Sequence, residues 1–182
     1  MCTNDGRKLK SVNIPLGHIT SIQYYNDNIY ALCQEQGNGT KRHVLVFKSS
    51  NYKRIKSWPV PDYRCISNIA VVKNKVYVSD TANKRIAVYS ITGDHSSYVT
   101  DSTFNSPDHI CIGRDCSVIV SDWKADKVYR LDGKIDKIRW ICDKVKTPRG
   151  VCCDTNGDVW VWSEHDKSIF VLSHRTGQSL TK

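Results

Sequence analysis

Val76-Tyr77-Val78-Ser79-Asp80-Thr81-Ala82-Asn83-Lys84-Arg85-Ile86-Ala87-Val88-Tyr89 is the stretch from which the fold can be read. Two runs of β-branched and aromatic residues flank a polar turn, the pattern of a strand hairpin. Just upstream, Asn68-Ile69-Ala70 is a short apolar strand, and Lys73-Asn74-Lys75 is the turn that joins it to Val76. Asn and Asp tolerate the left-handed backbone that such a turn demands.

The unit recurs along the chain. Inner strands begin at Ser21-Ile22-Gln23, Asn68-Ile69-Ala70, His109-Ile110-Cys111 and Gly150-Val151-Cys152. Second strands follow at Ile29–Leu32, Val76–Asp80, Val118–Asp122 and Val159–Ser163, and third strands at Val44–Phe47, Ile86–Tyr89, Val128–Leu131 and Ile169–Leu172. Ile69, Ile110 and Val151 lie 41 residues apart, and Ile86, Val128 and Ile169 lie 42 and 41 apart. Weaker fourth strands are expected at Tyr52–Trp58, Ser97–Asp101 and Lys137–Cys142. Four short antiparallel strands in every ~40 residues is the pattern of β-propeller blades. The expected fold is all-β: residues 1–182 form one propeller region of four blades, a fragment of a six-bladed ring. The blades are 18–64, 65–106, 107–147 and an incomplete 148–182, preceded by an orphan outer strand over 7–17. Such an arc needs further blades or a partner to close. The alternative is a small ring completed by the N-terminal strand.

The segment Val76–Tyr89, with Thr147-Pro148-Arg149-Gly150-Val151, resembles the NHL repeat. That family reads Pro-x-Gly-φ, then φ-Val-x-Asp, then Asn-His-Arg-φ, with φ apolar. Asn83-Lys84-Arg85-Ile86 places Lys where His is usual, and Ala125–Val128 and Asp166–Ile169 are looser. The resemblance implies a recognition module of the kind found at the C-terminus of tripartite-motif proteins, where the propeller recognises RNA or a protein and an upstream RING module transfers ubiquitin. The chain itself has neither a RING ladder nor a coiled-coil heptad. Val120-Ser121-Asp122-Trp123 through Arg130 also resembles the Tyr-Trp-Thr-Asp repeat of lipoprotein-receptor propellers. Those are secreted and accompany disulfide-rich modules, so that reading is set aside.

The 182 residues suffice for one domain with a core. No stretch approaches the ~18 consecutive apolar residues of a membrane span. The first residues lack the apolar run of a secretory signal. The expected location is therefore the cytoplasm, with the eight cysteines as free thiols. None forms a Cys-x-x-Cys pair, so no metal site and no cofactor is expected. The sequon Asn38-Gly39-Thr40 is expected to stay unused. The net charge of +9 is localised: Lys41 to Arg85 holds eleven basic and two acidic residues, and elsewhere the signs cancel.

Four groups of residues invite a role. Asp80, Asp122 and Ser163 occupy one repeat position after the second strand, where an oxygen can accept turn N–H groups; they are read as structural caps. Cys111 and Cys152 share a position on the inner strand, where Ala70 stands in the second repeat, and are read as small core residues. Asn68, Asp108, His109 and Arg149 ring one mouth of the channel, the place where metal-dependent propeller hydrolases and lyases build their sites. The set is thin, and Arg149 opposes a cation, so no catalytic residue is assigned. The basic segment is Lys41, Arg42, Lys53, Arg54, Lys56, Arg64, Lys73, Lys75, Lys84 and Arg85, with aromatic residues interleaved. Clustered cations attract phosphates, and rings stack on unpaired bases. The expected function is thus a non-catalytic recognition or scaffold propeller that binds a protein partner or single-stranded RNA. The alternative, from another class, is a metal-dependent enzyme at the channel mouth.

Overall fold

Alternation of buried β-branched residues builds strands throughout the computed structural model, which describes residues 11–14, 17–35, 41–60, 66–134 and 136–180. Blade 1 is the meander Gly17–Tyr25 (β1), Asn28–Glu35 (β2), Arg42–Lys48 (β3) and Arg54–Val60 (β4). Blade 2 comprises Ile66–Val72 (β5), Lys75–Asp80 (β6), Arg85–Ser90 (β7) and His95–Thr100 (β8). Blade 3 comprises Pro107–Ile112 (β9), Val118–Asp122 (β10), Lys127–Leu131 (β11) and Ile138–Cys142 (β12). Blade 4 holds Pro148–Cys153 (β13), Val159–Ser163 (β14) and Ser168–Leu172 (β15), and a lone bridge from Leu172 to Ser179 lies where a fourth strand would run. Every sheet is antiparallel and its strands pair in chain order.

Turn chemistry repeats with the strands. Asn26 and Asp27, and Lys73 and Asn74, close the first hairpins of blades 1 and 2 with both residues in the left-handed region. Lys84, Asp126 and Lys167 hold the same left-handed conformation at one repeat position, just before the third strand. Because each blade is a meander, its first and third turns lie at one rim and its second turn at the other.

The blades stack through apolar faces. Tyr30, Leu32, Val44, Val46 and Trp58 of blade 1 meet Ile69, Val71, Val76, Val78 and Tyr89 of blade 2. Tyr77, Ile86 and Val88 meet Ile110, Val118 and Val120, and Ile119 and Val128 meet Val159, Val161 and Leu172. Between inner strands, Gln23 clamps the Val71 backbone, donating to its carbonyl at 3.3 Å and accepting its N–H at 3.0 Å. Inner strands β1, β5, β9 and β13 pack in succession, and no packing of like extent returns from β13 to β1 among the described residues.

The row is therefore open. Ile22 and Tyr24 flank Gln23, point away from blade 2, and are 66% and 60% exposed. At the far end Trp160, Trp162 and Ile169 are exposed on the outer side of blade 4. Ile169 shares a repeat position with the fully buried Ile86, so the difference lies in the neighbour rather than in the residue. Cys152 is a correction of the same kind: it is exposed, not packed in a core, because its inner-strand position faces the side where blade 4 has no neighbour. Of the expected N-terminal outer strand, residues 11–14 carry no strand and Ile14 packs on the outer face of blade 1, while Gly17 already belongs to β1. Residues 7–10, 15 and 16 lie outside the described residues, as do the sequon and Arg64.

Candidate functional site

The three cap residues turn inward, Asp122 and Ser163 to the backbone and Asp80 chiefly to side chains of its own turn. Asp122 is fully buried; one carboxylate oxygen accepts the Asn105 N–H at 2.7 Å, and the other accepts those of Ser106 at 2.7 Å and Ala125 at 3.0 Å. Asp80 receives the Arg85 Nε–H at 2.7 Å and the Asn83 amide at 2.9 Å. Ser163 Oγ donates to the Lys146 carbonyl at 2.6 Å and accepts the Asp166 N–H at 3.0 Å. None of the three is exposed.

At the mouth where the inner strands begin, Arg149 organises the charges. Its Nε donates to Glu164 at 2.7 Å, its Nη1 lies 3.6 Å from Asp108, and its guanidinium sits 4.2 Å from the Trp123 ring centre. The Arg149 hydrogen bond and charge hold the Glu164 carboxyl below its ordinary range. The Asn68 N–H is taken by Ser79 Oγ, and His109 is exposed. Among the described residues no three His, Cys, Asp or Glu side chains stand close enough to hold a metal ion.

The basic segment divides between the two rims. Lys41, Arg42, Lys84 and Arg85 belong to the second turns of blades 1 and 2, on the mouth side. Lys53, Arg54, Lys73 and Lys75 belong to first and third turns on the opposite rim, with Lys56 along β4. Contiguity in sequence is thus not contiguity in space. Several cations are also committed internally. Arg85 is bound to Asp80 and lies 3.7 Å from the Tyr98 ring centre, Arg42 is buried, and Lys75 Nζ meets Asp136 at 2.7 Å and the Lys134 carbonyl at 3.1 Å.

The opposite rim carries a cavity of about 430 Å³ where blades 2, 3 and 4 meet. Lys73 reaches it from the β5–β6 turn, Asp115 and Ser117 from the β9–β10 turn, and Asp132, Gly133 and Lys134 from the β11–β12 turn. Arg130, Arg139 and Trp140 enter from β11 and β12, and Arg175 from the turn after β15. Arg130 pairs with Asp115 and Arg139 with Asp132. Burial raises the Asp115 carboxyl, but bonds from Ser117 and the charge of Arg130 outweigh it and hold the group low. The side chains of Lys73, Lys134 and Arg175 are exposed and have no hydrogen-bond or ion-pair partner among the described residues. The Trp140 indole is fixed by its Nε1 donating to the His174 carbonyl at 3.1 Å and by Gly177, where an added Cβ would fall 2.7 Å from the ring. Five cations against two carboxylates, beside a pinned aromatic ring, make a site suited to an anion with a planar group.

Arg130, Lys134, Arg139 and Arg175 come from blades whose charges cancel along the chain, so charge counting passes over them. A signal existed in the repeat: the turn between third and fourth strands carries Lys53, Lys134 and Arg175 in blades 1, 3 and 4.

No protein-family model matches the sequence, and no curated protein matches it. Solved structures do. A protein of unknown function from Bacteroides caccae superposes with a TM-score of 0.75 at 14% identity, over 98% of this chain and 71% of that one. Virginiamycin B lyase from Staphylococcus aureus gives 0.72 at 14% identity, over 92% of this chain and 55% of the lyase. The WD40 propeller domain of Doa1 gives 0.72 at 12% identity, over 90% and 52%. The fold is that of a β-propeller. The chain spans a little over half the length of the lyase and of the WD40 domain.

Proposed function

We propose that this chain is a non-catalytic recognition propeller of the NHL type whose ligand is single-stranded RNA, bound in the cationic cavity on the rim of first and third turns. The observation that carries this reading is the convergence of Lys73, Lys134 and Arg175, whose side chains have no partner among the described residues, around the fixed indole of Trp140. Cations without partners bind phosphates without first breaking an internal ion pair, and an indole face accepts any base. In a longer parent protein of the tripartite-motif type, the module would select the target of a ubiquitin ligase in the cytoplasm. A protein partner with an acidic, aromatic-binding segment is the nearest competing ligand.

A channel-mouth enzyme is the second reading, favoured by the likeness to a lyase propeller. Against it stands Arg149, which engages both Asp108 and Glu164 and so opposes a divalent cation between them.

Fluorescence anisotropy with a single-stranded RNA oligonucleotide tests the first reading. If three phosphates are neutralised, raising salt from about 50 to about 200 mM should weaken binding roughly twenty-fold. Lys134→Glu with Arg175→Glu should abolish it, and Lys41→Glu with Lys84→Glu, on the other rim, should leave most of it. Binding insensitive to salt, or lost only in the Lys41/Lys84 variant, would refute this site.

A further inference from the structure

Inner-strand alternation places two thiols face to face across the junction of blades 3 and 4. Cys111 stands opposite Ile119 on the side of β9 that faces blade 4. Cys153 stands opposite Val159 on the side of β13 that faces blade 3. Their Sγ atoms are 3.7 Å apart, although the residues are 42 apart in sequence. A disulfide needs about 2.05 Å, so the gap is within reach of side-chain rotation and small shifts of two strands already in contact. Among the described cysteines this is the one sulfur–sulfur contact: Cys33 and Cys142 are buried singly, Cys116 sits in a turn, and Cys152 points to the open side.

We propose that Cys111 and Cys153 form an oxidation-sensitive pair that closes into a disulfide between blades 3 and 4 when the protein meets hydrogen peroxide. The chemistry is asymmetric in this geometry. The contact between the two sulfurs, in which either S–H can donate, lowers the Cys153 thiol against the opposing effect of burial and raises that of Cys111. The lowered thiol, Cys153, takes the attacking role through its thiolate form, and Cys111 takes the resolving role. The Cys153 thiolate attacks the peroxide O–O bond, forming sulfenic acid and releasing hydroxide, which takes up a proton as water. Cys111 sulfur then attacks the sulfenic sulfur, forming the S–S bond; its proton and the departing hydroxyl leave as a second water. Two thiols are oxidised by two electrons and one peroxide is reduced to two waters. Thiol reductants reverse the step. The bond ties down the end blade, which has one open face, and limits the unfolded chain by a closed loop.

The experiment oxidises the full chain with hydrogen peroxide, maps cysteine linkages by tandem mass spectrometry, and records melting with and without a thiol reductant. The expected result is a Cys111–Cys153 cross-link and a rise in melting temperature that reductant abolishes. The Cys152→Ser variant should keep both effects, and Cys153→Ser should lose both. Mapping the wild-type protein requires no variant to fold. A vicinal Cys152–Cys153 link, sulfinic acid at Cys153 without a cross-link, or an unchanged melting temperature would overturn the proposal.

Discussion

Asp122 shows how much one buried carboxylate can organise: it closes the turn after β10 through Ala125 and anchors the approach to β9 through Asn105 and Ser106. Removing it leaves three N–H groups without their acceptor, that of Ser106 in a buried site and those of Asn105 and Ala125 in part-buried ones. Asp122→Ala should therefore cost roughly 2–4 kcal/mol, read as a shifted urea midpoint with an unchanged slope. An unmoved midpoint would contradict the anchoring role. The local half of this role was legible, because Asp80, Asp122 and Ser163 recur at one position and turn oxygens bind turn N–H groups. The other half was not, since the Asn105 and Ser106 donors lie 17 and 16 residues away and no turn rule links them. Cys152 teaches the converse: repeat position reveals which way a side chain points, but not whether a neighbouring blade is there to bury it.

At the scale of the element, junctions between blades are held by polar latches as well as apolar faces. Asp136 accepts the Tyr77 hydroxyl at 2.7 Å and pairs with Lys75, tying the β11–β12 turn of blade 3 to β6 of blade 2. Burial is the main cause that drives the Tyr77 phenol pKa well above its usual value, followed by the bond to Asp136, so it donates as a neutral hydroxyl at any pH of interest. A second device repeats at alternate junctions. Gly93 lies against Trp58, and Gly177 against Trp140, each glycine in a left-handed turn of the following blade. Gly177→Ala meets both penalties, an unfavourable backbone and a ring 2.7 Å from the new carbon. It should cost about 1–3 kcal/mol and also weaken RNA binding by displacing Trp140; thermal melting and anisotropy on one variant separate the two effects. The strands themselves were readable from period-two alternation and a 41-residue register. The cationic cavity was legible only as a basic residue recurring in the turn after the third strand, because its residues come from three blades and the carboxylates among them hide the excess in any linear count.

For the whole molecule, the decisive feature is that the row of blades formed by the described residues has two ends. In a closed ring each blade is clamped on both sides, and opening one requires breaking two junctions. Here blades 2 and 3 are clamped twice and blades 1 and 4 once, each end blade also exposing one apolar face to water. Resistance to opening should therefore be graded along the chain instead of uniform. Amide hydrogen exchange should be slowest in β6, β7, β10 and β11 and faster in the strands of the end blades, blade 4 leading, since its sheet has three strands and a single added bridge. Equal protection in all four blades would mean that something covers the ends. If the gradient is found, unfolding proceeds inward from the termini as a fraying zipper, and the binding cavity, built partly on the fraying blade, is lost before the core melts.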